Sequence, residues 1–271
     1  MDSKDALTKG AVKPWHVIFI VLVSYLASGV AADKIVKSLD PDIGWVVRDP
    51  LALSLAAVII IAYTLVVPEF RRILPVLSRR PRTALRARDM WLALAFCVCW
   101  GFGLYRAAVY LPALNLNPGQ FNDFGFSESM PEFKARYLII VAGIALLAPF
   151  AEELVFRGFL LNLWIARWGV WKAIIASSLF FGVMHGERML FAAILGFALA
   201  LVYLKYDSLW PSIAVHALYN FLGVYWLLGG FFAIKVRATV QDPANWIPEI
   251  ALAILFFPAA WFFWKRFRPR T

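Results

Sequence analysis

The sequence predicts an all-α protein, a polytopic bundle of about eight transmembrane helices, and three observations predict this class. Hydrophobic residues make up 62% of the 271 residues and charged residues only 16%, which is outside the usual range for soluble domains. Apolar windows of about 20 residues recur along the whole chain. The formal net charge of +10 comes mainly from basic residues in the short connections between these windows, and no nucleic-acid recognition module accompanies it.

The expected spans follow the apolar windows in chain order and form a single membrane-embedded domain over residues 1–271. The first window is longer than that of a signal peptide, which favours an uncleaved helix over a leader ending at Ala32. Trp15, Trp91 and Trp264 lie at window ends, as in the aromatic belts of membrane interfaces. The windows cover 15–32, 51–68, 91–112, 137–166, 172–186, 189–204, 209–234 and 247–264.

Lys and Arg residues predict the orientation of the bundle. With both termini in the cytoplasm, most of the 27 basic residues fall on the inner side, as the positive-inside rule expects. The arginine-rich segment 69–90 then lies at the inner leaflet, where anionic lipid is its expected partner. Nucleic acid is not expected as a partner.

The fourth window contains three charges, Glu152, Glu153 and Arg157, between apolar runs. Glu153 and Arg157 are four residues apart, so they share a helix face and are close enough to pair. Glu152 is rotated about 100 degrees from Glu153 and has no partner on a straight helix. An unpaired charge inside a membrane is costly and indicates function, so Glu152 is the candidate for chemistry.

Two later windows add polar groups at helical spacing. Phe181 and His185 share a face of the fifth span, and His216 and Asn220 share a face of the seventh. These groups predict a shared site within the catalytic core, about 137–234. A straight-helix count places Glu152 and His185 at different depths, so a tilt, a kink at Pro149 or a re-entrant turn at Gly186 is required.

Glutamate, histidine and amide groups of this kind are suited to amide hydrolysis. Glu152 and His185 are able to orient and deprotonate a water molecule, while His216 and Asn220 are able to donate to the oxygen that becomes negative. The sequence shows no evident Ser-His-Asp set, no helical Gly-Asp pair and no His-Glu-x-x-His zinc motif, so a nucleophilic side chain is not indicated.

The order and spacing of these motifs resemble a known family. Glu152-Glu153-x-x-x-Arg157, Phe181-x-x-x-His185 and His216-x-x-x-Asn220, on successive hydrophobic segments, resemble the type II CAAX prenyl endopeptidases, also called the CAAX protease and bacteriocin-processing (Abi) family of intramembrane proteases. The resemblance covers about 145–225.

The resemblance implies an eight-helix fold with a polar cavity in the membrane. It implies that Glu152 is the catalytic carboxylate, that His185 helps to activate water, and that His216 and Asn220 stabilise the oxyanion. Glu153 and Arg157 match supporting positions. The implied substrate is a peptide or a lipidated protein, and no cofactor is required. The chain looks most like bacterial members, which implies a plasma-membrane location.

Two alternatives remain at the level of sequence. Glu152, His185 and His216 are also a possible ligand set for zinc or another divalent metal, since two histidines with a carboxylate form a known catalytic zinc site. A transporter or a non-enzymatic secretion partner is the other alternative, because transporters use buried carboxylates for proton coupling. The sequence shows no inverted repeat that would favour transport.

Overall fold

The structure is a computed structural model, and it describes residues 12–37, 41–71, 80–105, 143–228 and 247–269. Helices dominate these ranges, and no strand occurs within them. We number the long helical segments in chain order: Pro14–Val36 (α1), Pro41–Val66 (α2), 87–105 (α3), 143–168 (α4), Val170–Val183 (α5), Met189–Tyr206 (α6), Leu209–Leu228 (α7) and Ile247–Phe267 (α8).

These helices confirm the predicted fold class. Each apolar window coincides with one helix, and the window parts at 106–112, 137–142 and 229–234 lie outside the described residues. Among the described residues, four segments are both long and apolar enough to cross a membrane, and two further apolar helices, Leu51–Val66 and Val170–Val183, are shorter. The four long segments are Pro14–Ile35, Ala87–Leu104, Met189–Tyr206 and Glu249–Phe267. The protein is therefore a helical integral membrane protein.

The chain divides into two compact units. The first comprises Met1–Leu85 and Lys134–Ala217, and the second comprises Arg86–Phe133 and Leu218–Thr271. The first unit contains α1, α2, α4, α5, α6 and the beginning of α7, and the second contains α3, α8 and the rest of α7. The single domain expected over residues 1–271 stays a prediction.

Small residues let the helices of the first unit approach closely. Gly182 on α5 lies against the start of α6, where an added Cβ would meet the Met189 carbonyl oxygen at 2.5 Å and the Ala193 Cβ at 2.9 Å. The connection between α5 and α6 is a tight turn in which Gly186 has φ +57. Such contacts between small residues are common in membrane bundles, where close packing drives helix association.

Helix α4 carries the charged motif and is not a regular α-helix. It is π-helical over Gly143–Leu147, α-helical over Ala148–Glu153, π-helical again over Leu154–Leu161, and α-helical over Asn162–Trp168. All eight residues of the second π-helical segment are buried. Because π-helical turns inside α-helices occur frequently at functional sites, this segment marks the surrounding part of α4 as a candidate functional region.

The second unit is held by aromatic contacts and a buried ion pair. Phe96 of α3 stacks on Phe263 of α8 with ring centroids 4.6 Å apart. Arg266 donates two hydrogen bonds, of 2.8 and 2.9 Å, to the two carboxylate oxygens of buried Asp89. This bidentate geometry joins the start of α3 to the end of α8.

Candidate active site

The two adjacent carboxylates of α4 have different environments. The Glu153 side chain is 0% exposed, and its Oε1 forms the predicted ion pair with Arg157 Nη1 at 2.9 Å. The Glu152 side chain is 14% exposed, so the protein encloses its carboxylate less completely than that of Glu153. The pairing expected for Glu153 is confirmed. Glu152 is not part of this ion pair.

His216 of α7 lies between the two glutamates. Its Nδ1 is 3.0 Å from Glu153 Oε1, and its Nε2 is 3.7 Å from Glu152 Oε2. A carboxylate paired with an arginine accepts hydrogen bonds, so the proton on Nδ1 donates to Glu153 and the ring orientation is fixed. The distance to Glu152 is longer than a direct hydrogen bond and is suited to a bridging water or a small closing movement.

Arg157 connects this carboxylate and histidine to α6. Its Nη2 donates a 2.8 Å hydrogen bond to the Gly196 carbonyl oxygen, and its guanidinium carbon lies 4.9 Å from the centre of the Phe181 ring. The side chain is 1% exposed. A buried arginine requires an anionic partner, which Glu153 supplies, and the Gly196 carbonyl accepts one hydrogen bond from it.

His185 lies at the end of α5, next to Phe181. Its Nδ1 is 2.7 Å from the Phe181 carbonyl oxygen, which only accepts, so Nδ1 carries a proton, and in the neutral ring Nε2 has the lone pair of a base. Its backbone angles, φ −99 and ψ 8, fall in the bridge region where many active-site residues lie. The buried Phe181 ring contacts the His185 and His216 rings, at centroid distances of 4.5 and 5.9 Å.

The structure therefore brings Glu152, Glu153, Arg157 and His216 together directly, and it places the His185 and His216 rings on the same phenylalanine. Asn220 follows His216 by one turn of α7 but belongs to the second unit. Its place in the site remains a prediction from helical spacing.

The residues of this site do not form a set of metal ligands. No three His, Cys, Asp or Glu side chains converge on a common metal position anywhere in the described ranges. Glu152 and His216 approach each other, but no third side chain of these types completes a set with them among the described residues. We therefore derive no step through a metal.

Three residues near the site were not predicted from the sequence. Gly196 accepts from Arg157, and an added Cβ there would lie 3.1 Å from Phe181 Cδ1. Asn162 and Tyr203 bond to each other at the end of the π-helical segment. All three depend on contacts between helices that are far apart in the sequence.

The helices and the charged cluster between them define a class, a multi-span membrane protein with a polar site among its helices. Residues 134–222 match the family model "Type II CAAX prenyl endopeptidase Rce1-like". This match confirms the resemblance carried by the three motifs, all of which lie inside the matched segment. Neither the search of curated proteins nor that of solved structures found a match.

Proposed function

We propose that the protein is an intramembrane endopeptidase that hydrolyses a peptide bond with a water molecule activated by Glu152 and His185. The family match supports a peptidase, because it covers every residue of the proposed site. One observation carries the proposal for this chain. Arg157 and Glu153 pair and orient His216, and the neighbouring Glu152 remains a partly exposed carboxylate beside an imidazole.

The proposed reaction balances with the groups of the chain. The Glu152 carboxylate takes a proton from water while the water oxygen attacks the peptide carbonyl carbon, and His185 Nε2 accepts a hydrogen bond that orients the same water. The carbonyl oxygen becomes negative. Glu152 then returns its proton to the peptide nitrogen, and the C–N bond breaks to give an amine and a carboxylic acid, which releases its remaining proton to solvent.

His216 and Asn220 are proposed to stabilise the oxyanion. To donate from Nε2, His216 must carry a second proton, and the Glu153 carboxylate at Nδ1 is the kind of partner that stabilises a catalytic imidazolium. The Asn220 amide supplies a second donor in this proposal. Glu153 and Arg157 support the ring without touching substrate.

The proposed substrate is a peptide in or at the membrane, including the carboxyl-terminal peptide of a lipidated protein. Both termini are proposed to be cytoplasmic and the location to be a bacterial plasma membrane. Membrane lipid and the peptide substrate are the proposed partners. The mechanism requires no metal.

The test is cleavage by the full chain reconstituted in liposomes, with a peptide library offered in prenylated and unmodified forms and in the presence or absence of strong chelator. Cleavage of defined bonds that persists in chelator supports the proposal, and the preferred form identifies the substrate class. Loss of cleavage in chelator with recovery on added zinc would replace the proposal with the metal alternative. Failure to cleave any peptide would contradict the peptidase.

A further inference from the structure

The change of helical geometry at Asn162 leaves a backbone carbonyl to be satisfied. Leu154–Leu161 is π-helical and α-helical geometry resumes at Asn162. Each N–H bonds to the carbonyl five residues back in a π-helix and four residues back in an α-helix. Where five changes to four, one carbonyl is passed over, and a buried carbonyl without a donor is costly.

The side chain of Asn162 supplies the missing donor. Its Nδ2 lies 2.7 Å from the Arg157 carbonyl oxygen and 3.0 Å from the Gly158 carbonyl oxygen, the positions that the register change affects. Because both carbonyls only accept, the nitrogen rather than the oxygen of the amide faces them. The same Nδ2 lies 2.8 Å from Tyr203 Oη, so its two N–H groups are shared among three acceptors and the amide also joins α4 to α6.

Helix α6 holds Arg157 at two points. Gly196 and Tyr203 are seven residues apart, so they lie on one face of α6. The Gly196 carbonyl accepts from the Arg157 guanidinium, and Tyr203 binds the amide that satisfies the Arg157 carbonyl. Tyr203 is fully buried, so its contact with Asn162 lies in the packed interior.

We infer that Asn162 and Tyr203 are positioning residues for the peptidase proposed above, on which this inference rests. They fix the π-helical part of α4 in register with α6. That register sets the place of Arg157, which pairs with Glu153, and Glu153 orients His216. Asn162 and Tyr203 act through this chain of contacts, and their contribution is to the geometry of the His216 ring.

Two variants test the inference in the reconstituted full chain. Asn162→Leu removes the donor at similar size, and Tyr203→Phe removes one hydroxyl. Tyr206→Phe is the matched control, because Tyr206 is also fully buried on α6 and the substitution likewise removes one tyrosine hydroxyl. The measurements are kcat and KM for a cleaved peptide, and the ¹⁵N resonances of the His216 ring in histidine-labelled protein, assigned with a His216→Gln variant.

Asn162→Leu is expected to lower kcat about 10- to 100-fold while KM stays within about twofold, since misplacement of a catalytic group acts on the chemical step. Tyr203→Phe is expected to lower kcat about 3- to 10-fold, because the amide keeps its two carbonyl bonds. Both variants shift the His216 resonances, and Tyr206→Phe shifts neither kcat nor the resonances.

Unchanged kcat and unchanged His216 resonances in Tyr203→Phe and Asn162→Leu would overturn the inference, as would an equal loss in Tyr206→Phe. If Asn162→Leu does not fold, the kinetics and resonances of Tyr203→Phe alone test the inference, because removing a single oxygen is expected to leave the fold intact. If the unmodified protein cleaves no peptide, the proposed function fails separately. The resonances then still decide whether these residues position His216.

Discussion

His216 Nδ1 lies 3.0 Å from Glu153 Oε1, across 63 residues of sequence. The same Glu153 oxygen pairs with Arg157 at 2.9 Å. A carboxylate held by an arginine on one side and by a histidine on the other fixes the ring of that histidine. Glu153 is therefore more than the counter-ion of Arg157, and Glu152 differs from its neighbour in both exposure and partners.

This difference predicts that replacing Glu153 destabilises the protein much more than replacing Glu152 does. Glu153→Gln leaves the buried Arg157 charge without an anionic partner, which is expected to lower the free energy of unfolding by about 3–5 kcal/mol. Glu152→Gln leaves every contact of that pair in place and is expected to change stability by no more than about 0.5 kcal/mol. Unfolding of the two variants in bicelles measures the contrast. Equal losses would contradict the assignment.

His185 is expected to contribute to the chemical step. His185→Gln removes the Nε2 lone pair and is expected to lower kcat about 10²- to 10⁴-fold, the usual range for an acid or base group. His16→Gln is the matched control, because His16 lies at the start of α1 beside Trp15. Kinetics of peptide cleavage measure both. A loss in His16→Gln as large as that in His185→Gln would remove the distinction between them.

A side chain at Gly196 is expected to disturb the packing around Phe181. Gly196→Ala places a Cβ 3.1 Å from Phe181 Cδ1 and 3.4 Å from its Cβ and Cγ, so the ring that contacts both histidines must move. The expected loss is about 1–3 kcal/mol of stability from overpacking, together with reduced kcat. Gly29→Ala on α1 is the control, since nothing lies within 4 Å of the added carbon. Both variants behaving alike would argue against this packing.

The partly buried ion pair of Asp89 and Arg266 in the second unit predicts a stability effect without a catalytic one. Asp89→Asn removes the charge that receives two hydrogen bonds from Arg266. Because the Arg266 side chain is 32% exposed, the expected loss is about 2 kcal/mol, less than for a fully buried pair. Thermal unfolding measures the loss, and kcat of the folded fraction is expected to stay unchanged. A large fall in kcat would show that this pair influences the site.

The sequence was sufficient for the helices and for one contact of the site. Apolar windows predicted the helical segments because a membrane span needs a long uninterrupted run. Spacing of four predicted the Glu153–Arg157 pair and separated Glu152 from it, because both partners lie on one turn of α4. These relationships lie within one helix, and sequence periodicity predicts relationships of that kind.

The remaining contacts were beyond sequence reasoning for a physical reason. The bond of Glu153 to His216 and the bond of Arg157 to Gly196 join different helices, so their partners depend on how the bundle packs. Apolar composition does not distinguish the π-helical segment of α4 from an α-helix.

Cleavage kinetics of Glu152→Gln in the reconstituted full chain test the central claim most directly. The matched control is Glu69→Gln, which makes the same change at an exposed position in the short helix Pro68–Arg71. The account predicts that Glu152→Gln lowers kcat at least about 10²-fold with stability intact, while Glu69→Gln cleaves as the unmodified protein does. Equal turnover by the unmodified protein and Glu152→Gln would contradict the assignment of Glu152 as the base.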